Sequence, residues 1–338
     1  MGRMRVGLVY MLKQDFQQEE LRAPDSDAEW DTPETTELLL SGILEAGFEP
    51  VDVGAPNKLL EPSFTSTVDL VLSTCEMQGY RFRESIVPTI CEFLHIPYAL
   101  SPPDSFMVSL DKNLCNLVMR QAGGRVPDWH FVREASDLAR NSLNAFPYIV
   151  KPSAEGSGMG ICDQAVVDDI DSLTDVVAQV IAVYRQPALV QTFMPGREFS
   201  VGLVERGGKL ECLHPLEVVP RVRNPRFVYD YRTKTHKDDL IDHVPLRGEG
   251  DLHSALLAEA VRAFAAIDCR DLARVDLRLS ADGDPHFLEI NPAPEMHPKK
   301  SSLARSARAA GLSYEELLRT FLENAAKRWG LAKGAVSV

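Results

Sequence analysis

The chain has 338 residues, 45% of them hydrophobic, with 36 Lys plus Arg against 49 Asp plus Glu and a formal net charge of -13. Such a length calls for two or three cores, and the apolar fraction is that of a globular chain, not a disordered or fibrous one. The acidic excess repels polyanions, which argues against nucleic acid or an anionic membrane as partner while leaving room for a locally positive pocket.

The first predicted element is a strand over 6–10. The apolar run there is followed by Lys13 instead of a small-residue cleavage site, so no signal peptide is expected. A helix over 35–46 stopped by Gly47 and a strand over 68–73 continue an open α/β pattern. Between Lys13 and Thr32 the chain is acidic and aperiodic, either a loop over a site or disordered. Ser101-Pro102-Pro103-Asp104 then punctuates the chain, and Asp104 or Ser105 caps a single helix predicted to reach Gly123-Gly124. A first domain therefore spans 1–102. Strands near 129, over 148–150 and over 188–193, with a helix near Leu138 and another over 171–184, make a second domain, 103–197, closed by Pro195-Gly196. The third, 198–338, opens with Phe199, Val201 and Leu203 on one face, turns at Gly207-Gly208 and returns through 210–219 as an antiparallel hairpin. Residues 220–247 are rich in Arg, Asp, His and Pro without an apolar period, the signature of a functional or disordered loop. A helix over 251–267, a second hairpin, a Pro-rich turn and a helix over 314–329 complete the chain. No run reaches the roughly 18 apolar residues a membrane span needs. The cysteines, at 75, 91, 115, 162, 212 and 269, make no C-x-x-C pair, and the histidines no H-E-x-x-H, so a zinc site or disulfide framework is not expected and a reducing cytoplasm fits.

The second hairpin carries the strongest chemical argument. With a two-residue Asp282-Gly283 turn, Ala281 pairs with Asp284, and counting outward sets Leu277 opposite Leu288 and Val275 opposite Ile290 on the buried face. The other face then pairs Asp276 with Glu289 and Arg274 with Asn291. Two acidic side chains with Cβ atoms about 5 Å apart are destabilising unless something cationic lies between them. Either Arg274 supplies it, or Asp276, Glu289 and the Asn291 amide oxygen hold a divalent ion such as Mg²⁺. Upstream, Val150-Lys151-Pro152 leads into Glu155-Gly156-Ser157-Gly158-Met159-Gly160, whose glycines can turn N–H groups inward around a phosphate, with Lys151 as point charge, unless the loop is a plain turn. Gln191-Thr192-Phe193-Met194 leaves a strand through Pro195-Gly196 toward Glu198, which is either an acceptor for ribose hydroxyls or a solvated charge after a turn. The run 229–237, with Tyr229, Tyr231, Lys234, His236 and Lys237, suits a lid over an anion or a surface basic patch.

In this order, the segments Ser109-Leu110-Asp111-Lys112, Val150-Lys151-Pro152, Glu155-Gly156-Ser157, Pro195-Gly196-Arg197-Glu198-Phe199, Tyr229-Asp230-Tyr231 with Lys234, Arg274-Val275-Asp276 and Leu288-Glu289-Ile290-Asn291 resemble the D-alanine-D-alanine ligase family of the ATP-grasp superfamily. The resemblance covers most of residues 100–320. It implies a three-domain ATP-grasp fold, α/β (α+β), in which an N-terminal open α/β domain adjoins two antiparallel-sheet domains that enclose ATP. Lys112, Lys151, Glu155 and Gly156 would then contact ATP, Gln191 to Met194 line the adenine pocket, and Glu198 take the ribose. Asp276, Glu289 and Asn291 would hold Mg²⁺, with Mn²⁺ as an alternative. Arg274, Lys234 and Ser157 would be catalytic in joining small-molecule carboxylate and amine substrates through an acyl phosphate. The family is commonly dimeric.

The sequence also departs from the family. Where a Pro-Gly-Met-Thr-type turn normally leads to a Ser-Leu that grips the acceptor carboxylate, Pro292-Ala293-Pro294-Glu295-Met296-His297-Pro298-Lys299-Lys300-Ser301-Ser302-Leu303 stands here, with Glu295 in the glycine's place. The tyrosine after the lid lysine is Thr235, followed by His236, and the second serine of Gly-Ser-Ser is Gly158. The N-terminal amine-binding Glu is not recognisable, Glu29 and Glu34 being candidates. The ATP half is thus intact and the acceptor half rewritten, with Lys299 and Lys300 available to grip a different carboxylate. A genuine D-alanine-D-alanine ligase of peptidoglycan synthesis and a nucleotide-binding protein without ligase activity are the alternatives.

Overall fold

The computed structural model describes residues 2–331 apart from 16–22, 24, 27, 29, 78–81, 141, 142 and 144. In chain order the first unit contains β1 (Arg5–Val9), α1 (Pro33–Glu45), β2 (Glu49–Gly54), β3 (Leu70–Ser73) and α2 (Ile86–Leu94), the strands forming a parallel sheet in the order β2-β1-β3. Val6, Leu8 and Val9 are all buried. A parallel strand covered on both faces reads as an uninterrupted apolar run, which is why β1 was legible. Thr32 caps α1 by accepting from the Thr35 N–H, Pro33 occupies the first turn, and Gly47, at φ 102, ends it.

The single helix expected after the Pro-Pro punctuation is two, α3 (Pro103–Leu110) and α4 (Lys112–Gln121). Asp111 leaves the helical region at ψ 94 and its carboxylate caps the Asn113 and Leu114 N–H groups, while the Lys112 N–H donates to the Ser153 carbonyl at 2.8 Å. A tertiary contact thus replaces a helical hydrogen bond, and Lys112 starts a helix instead of sitting inside one.

The second unit contains β4 (Trp129–Val132), β5 (Tyr148–Pro152), β6 (Val166–Val167), α5 (Ile170–Tyr184) and β7 (Ala188–Thr192), an antiparallel sheet in the order β4-β7-β5-β6. The third contains β8 (Glu198–Arg206), β9 (Lys209–Cys212), β10 (Leu216–Pro220), α6 (Tyr231–Thr235), α7 (Lys237–Leu240), β11 (Ile241–Pro245), α8 (Gly250–Ala266), β12 (Leu272–Leu279), β13 (Pro285–Asn291), α9 (Ser302–Ala309) and α10 (Tyr314–Arg328). Its antiparallel sheet runs β11-β10-β8-β12-β13, with β9 also on β8. The stretch 220–247 is therefore not all loop: it holds α6, α7 and the edge strand β11, in which only Ile241 is fully buried, so its polar sequence concealed it. Helix α9 was likewise hidden behind the Pro-rich turn. The core joins Leu8, Ile43 and Leu70 of the first unit to Val204, Leu303 and Phe321 of the third. Asp271, fully buried, fastens the same seam by accepting from the Leu100 N–H at 2.8 Å, Asn324 Nδ2 at 2.9 Å and Arg328 Nη2 at 2.6 Å.

Hairpin β12–β13 keeps the expected pairs Arg274 with Asn291, Val275 with Ile290 and Asp276 with Glu289, but not the expected turn. Ser280 pairs with Asp284 across a three-residue loop, with Gly283 at φ 86. That slip of one residue is cancelled by a β-bulge beyond Asp276, where Phe287, not Leu288, opposes Leu277. Phe287 is buried and Leu288 instead lines a cleft.

Candidate active site

A cleft of about 420 Å³ lies between the second and third sheets, bordered by residues of the first unit and of the α6–α7 lid. Ser157, Lys112, Lys151, Gly156, Gln191, Thr192, Phe193, Met194, Glu198, Lys234, Arg274, Asp276, Glu289 and Asn291 all line it. Among the predicted nucleotide contacts, Glu155 does not: its carboxylate faces Arg83 Nη2 at 3.0 Å and Gln186 Nε2 at 2.6 Å, and its carbonyl accepts from Lys112 Nζ at 2.5 Å. It braces the loop behind the cleft.

The glycine loop fits under the lid. Ser157, Gly158 and Gly160 all have positive φ, and a Cβ on Gly158 would stand 2.5 Å from the Asp230 carbonyl carbon and 2.8 Å from the Tyr231 nitrogen. Asp230 caps α6 by accepting from the Thr233 N–H at 2.7 Å, which brings Lys234 one turn later onto Ser157 Oγ, to which it donates. From the other side Asp25, in the aperiodic N-terminal segment, accepts from the Gly160 N–H at 2.8 Å and from Tyr184 Oη.

Charge is concentrated at the centre. Burial, with Lys112 as a like-charged neighbour, brings the Lys151 ammonium down to about 8. Arg274 donates from Nε to both Asp276 oxygens at 3.1 Å and from Nη2 at 2.8 Å, each side chain 18% exposed, while Lys112 Nζ lies 3.3 Å from Glu289. Of the two cations the hairpin left open, the guanidinium thus stands on Asp276. Burial raises the Asp276 carboxyl above its usual range, with Arg274 opposing; for Glu289 burial is outweighed by Lys112, Arg274 and Lys151, which hold it low. Elsewhere in the cleft, burial pushes Glu198 up to about 7 despite Arg278, whose Nη1 is 3.1 Å from Glu198 Oε2.

The end of the cleft toward the first unit has a different composition. Glu295 forms an ion pair with Lys237 of the lid at 2.5 Å, and Lys237 and Lys234 outweigh burial to keep its carboxyl low. Asp31 enters from the first unit, accepts from Thr74 Oγ1 at 2.6 Å and is raised by burial to about 6. Glu34 is not among the lining residues; it is mostly exposed, with its carboxylate 3.7 Å from Lys300 Nζ. Glu29 lies outside the described residues. Lys300 and Thr235 line the cleft, whereas Lys299 and His236 are not among its lining residues.

A family model described as D-ala D-ala ligase C-terminus matches residues 118–323. The D-alanine-D-alanine ligase of Delftia acidovorans is 33% identical over 254 residues, 74% of this chain and 74% of that protein. The chain belongs to the D-alanine-D-alanine ligase family. With it, the chain is an ATP-dependent ligase that forms a carbon-nitrogen bond. Two solved structures share the fold: D-alanine-D-alanine ligase from Bacillus anthracis complexed with ATP (TM-score 0.72, 21% identity, 98% of this chain and 99% of that one) and the VanG D-Ala:D-Ser ligase from Enterococcus faecalis (TM-score 0.72, 17%, 96% and 99%).

Ligases of this family use a divalent metal with ATP, and the donor set here fits one. Among the described residues no group of three or more His, Cys, Asp and Glu could hold a metal. An amide oxygen is available as a third donor: Asp276 and Glu289 oppose each other across the strands, and Asn291 follows two residues on, with Oδ1 accepting from the Ala293 N–H at 3.2 Å. These are hard oxygens only, open to the cleft and already surrounded by cations that a bound ion would displace or supplement. Arg278 and Asp31 were not singled out by the sequence. For Arg278 a signal existed, since the alternation that sets Arg274 and Asp276 on one face sets Arg278 there too. For Asp31 none did, because an aperiodic segment carries no facing. Among the described residues no helix is long and apolar enough to cross a membrane.

Proposed function

We propose that this ligase joins amino acids or similar small molecules through an acyl phosphate, with an acceptor site unlike that of D-alanine-D-alanine ligases. The observation that carries the reading is the meeting of Lys112, Lys151, Lys234 and Arg274 with Asp276 and Glu289 in one cleft whose far end holds the Lys237–Glu295 pair. Gln191 to Met194 take the adenine, Glu198 the ribose, and Lys112 and Lys151 the phosphates. Asp276, Glu289 and Asn291 hold Mg²⁺ or Mn²⁺, which when bound neutralises phosphate charge.

A substrate carboxylate oxygen bonds to the γ-phosphorus as the bond to ADP breaks. Lys151, Lys234 and Ser157 neutralise and orient the transferring group. The neutral amine then adds to the acyl carbon, Arg274 stabilises the oxyanion, and the intermediate collapses to the amide as phosphate leaves and the nitrogen's proton passes to the departing phosphate. The lid over Gly158 keeps water away from the acyl phosphate. Glu295 in place of glycine, already neutralised by Lys237, alters where an acceptor carboxylate can bind. The Enterococcus faecalis neighbour is a D-Ala:D-Ser ligase, which supports acceptor variation on this fold. The reading includes domains at 1–102, 103–197 and 198–338, a homodimer, and a cytoplasmic location to which six free cysteines are suited.

Phosphate release with ATP and Mg²⁺, screened over pairs of amino acids and amines, tests this. Turnover on a pair other than two D-alanines supports it. Efficient dipeptide synthesis from D-alanine alone refutes the divergent acceptor, and ATP binding without turnover on any pair refutes the ligase.

A further inference from the structure

Glu198 and Arg278 are register partners on β8 and β12, and both line the cleft. Their side chains are 11% and 8% exposed. Arg278 Nη1 donates to Glu198 Oε2 at 3.1 Å, Nη2 donates to the Phe227 carbonyl at 2.7 Å, and the guanidinium carbon lies 4.9 Å from the centre of the Phe193 ring. The arginine is thus held at three points, by the carboxylate, by the start of the lid and by the aromatic residue beside it.

As a device for stability this arrangement is poor. Removing both charges from water offsets most of their attraction, an apolar side chain would pack against Phe193 as well, and Arg278 Nε is buried without a hydrogen-bond partner among the described residues. As a device for orientation it is apt. A carboxylate that accepts from two neighbouring hydroxyls must be held to within about 0.5 Å of its working position by groups that are themselves fixed, and a planar guanidinium does this where a lysine point charge does not.

We propose that Arg278 is a positioning residue of the nucleotide site, gripping Glu198 so that it faces the sugar, and that the preference for a ribose bearing its hydroxyls depends on this grip. The inference rests on the reading of Glu198 as the ribose acceptor. It concerns this chain's own discrimination among nucleotides, not its amino-acid substrates.

The experiment compares the KM of ATP with that of 2′,3′-dideoxy-ATP for the wild type, Glu198→Gln, Arg278→Met and Arg278→Lys, with thermal melts to establish folding. The wild type is expected to prefer ATP by on the order of tenfold or more, as for hydrogen bonds to a charged group. Arg278→Met should narrow the preference to within about threefold by weakening ATP alone, with kcat at saturation little changed, and Arg278→Lys should fall between. A folded Arg278→Met enzyme that keeps the wild-type preference, or loses affinity for both nucleotides equally, overturns the proposal. Should that variant not fold, Arg278→Lys decides: the full wild-type preference would overturn the proposal and a narrowed one support it. A wild type without preference, or Glu198→Gln with the preference intact, instead overturns the ribose reading itself and the Arg278 role with it.

Discussion

Gly158→Ala is expected to separate backbone strain from lid displacement. At φ +72 an alanine costs roughly 1–2 kcal/mol for the left-handed conformation alone. In addition, its Cβ would stand 2.5 Å from the Asp230 carbonyl carbon. Carbon atoms rest about 3.5 Å apart, so the lid must retreat by about 1 Å, carrying Lys234 away from Ser157. Misplacement on that scale lowers turnover by about 100-fold. Gly311→Ala supplies the control: φ is +86 and nothing lies within 4 Å of the added carbon, so only the backbone strain is added. Both variants should melt a few degrees below the wild type, as about 1–2 kcal/mol implies, but only Gly158→Ala should lose kcat in a phosphate-release assay. A Gly158→Ala enzyme within about twofold of wild-type kcat would show that the lid does not rest on that glycine during turnover.

The ionisation of two cleft residues sets an expected pH profile. In the proposed roles, Glu198, raised to about 7, must be ionised to accept hydroxyls, so affinity is lost as pH falls through that value; Lys151, lowered to about 8, must be protonated to meet phosphate, so affinity is lost as pH rises through it. The kcat/KM for ATP should therefore peak between about 7 and 8, and a profile flat from pH 6 to 9 would contradict both assignments. Asp276→Asn should lower Mg²⁺-dependent turnover by at least about 100-fold while the protein stays folded by circular dichroism; unchanged turnover at any Mg²⁺ concentration removes it from the metal site. Asp271→Ala strands Arg328 and the Leu100 N–H in the seam between the first and third units and should destabilise by about 3–5 kcal/mol in urea unfolding. A loss below about 1 kcal/mol would mean the seam does not depend on it.

The two hairpin carboxylates illustrate why some of the site was legible. Alternation along a strand is a local property of the backbone, so apolar Val275, Leu277 and Ile290 facing the core leave Asp276 and Glu289 together on the other face. Even there the agreement came from two compensating features: a turn one residue longer than assumed, and a bulge at Leu288 that restored the register. The unexpected break at Asp111 and the concealed β11 share a cause, since each depends on a partner distant in the chain. Asp111 ends one helix where Lys112 meets Ser153, and β11 is a strand because β10 pairs with it.

Local patterning therefore determined most of the elements, the faces that β12 and β13 bury and the motifs whose order marks the family, but not β11, α9, the break at Asp111 or the presence of Asp31 in the cleft. Tertiary structure decided how those groups are partnered: Arg274 on Asp276, Arg278 on Glu198, Lys237 on Glu295, Asp25 beneath the glycine loop and Asp230 above it. The physical reason is range. Steric alternation acts between neighbouring residues, whereas pairing among several nearby charges depends on desolvation and on distances that exist only once separate sheets have packed together.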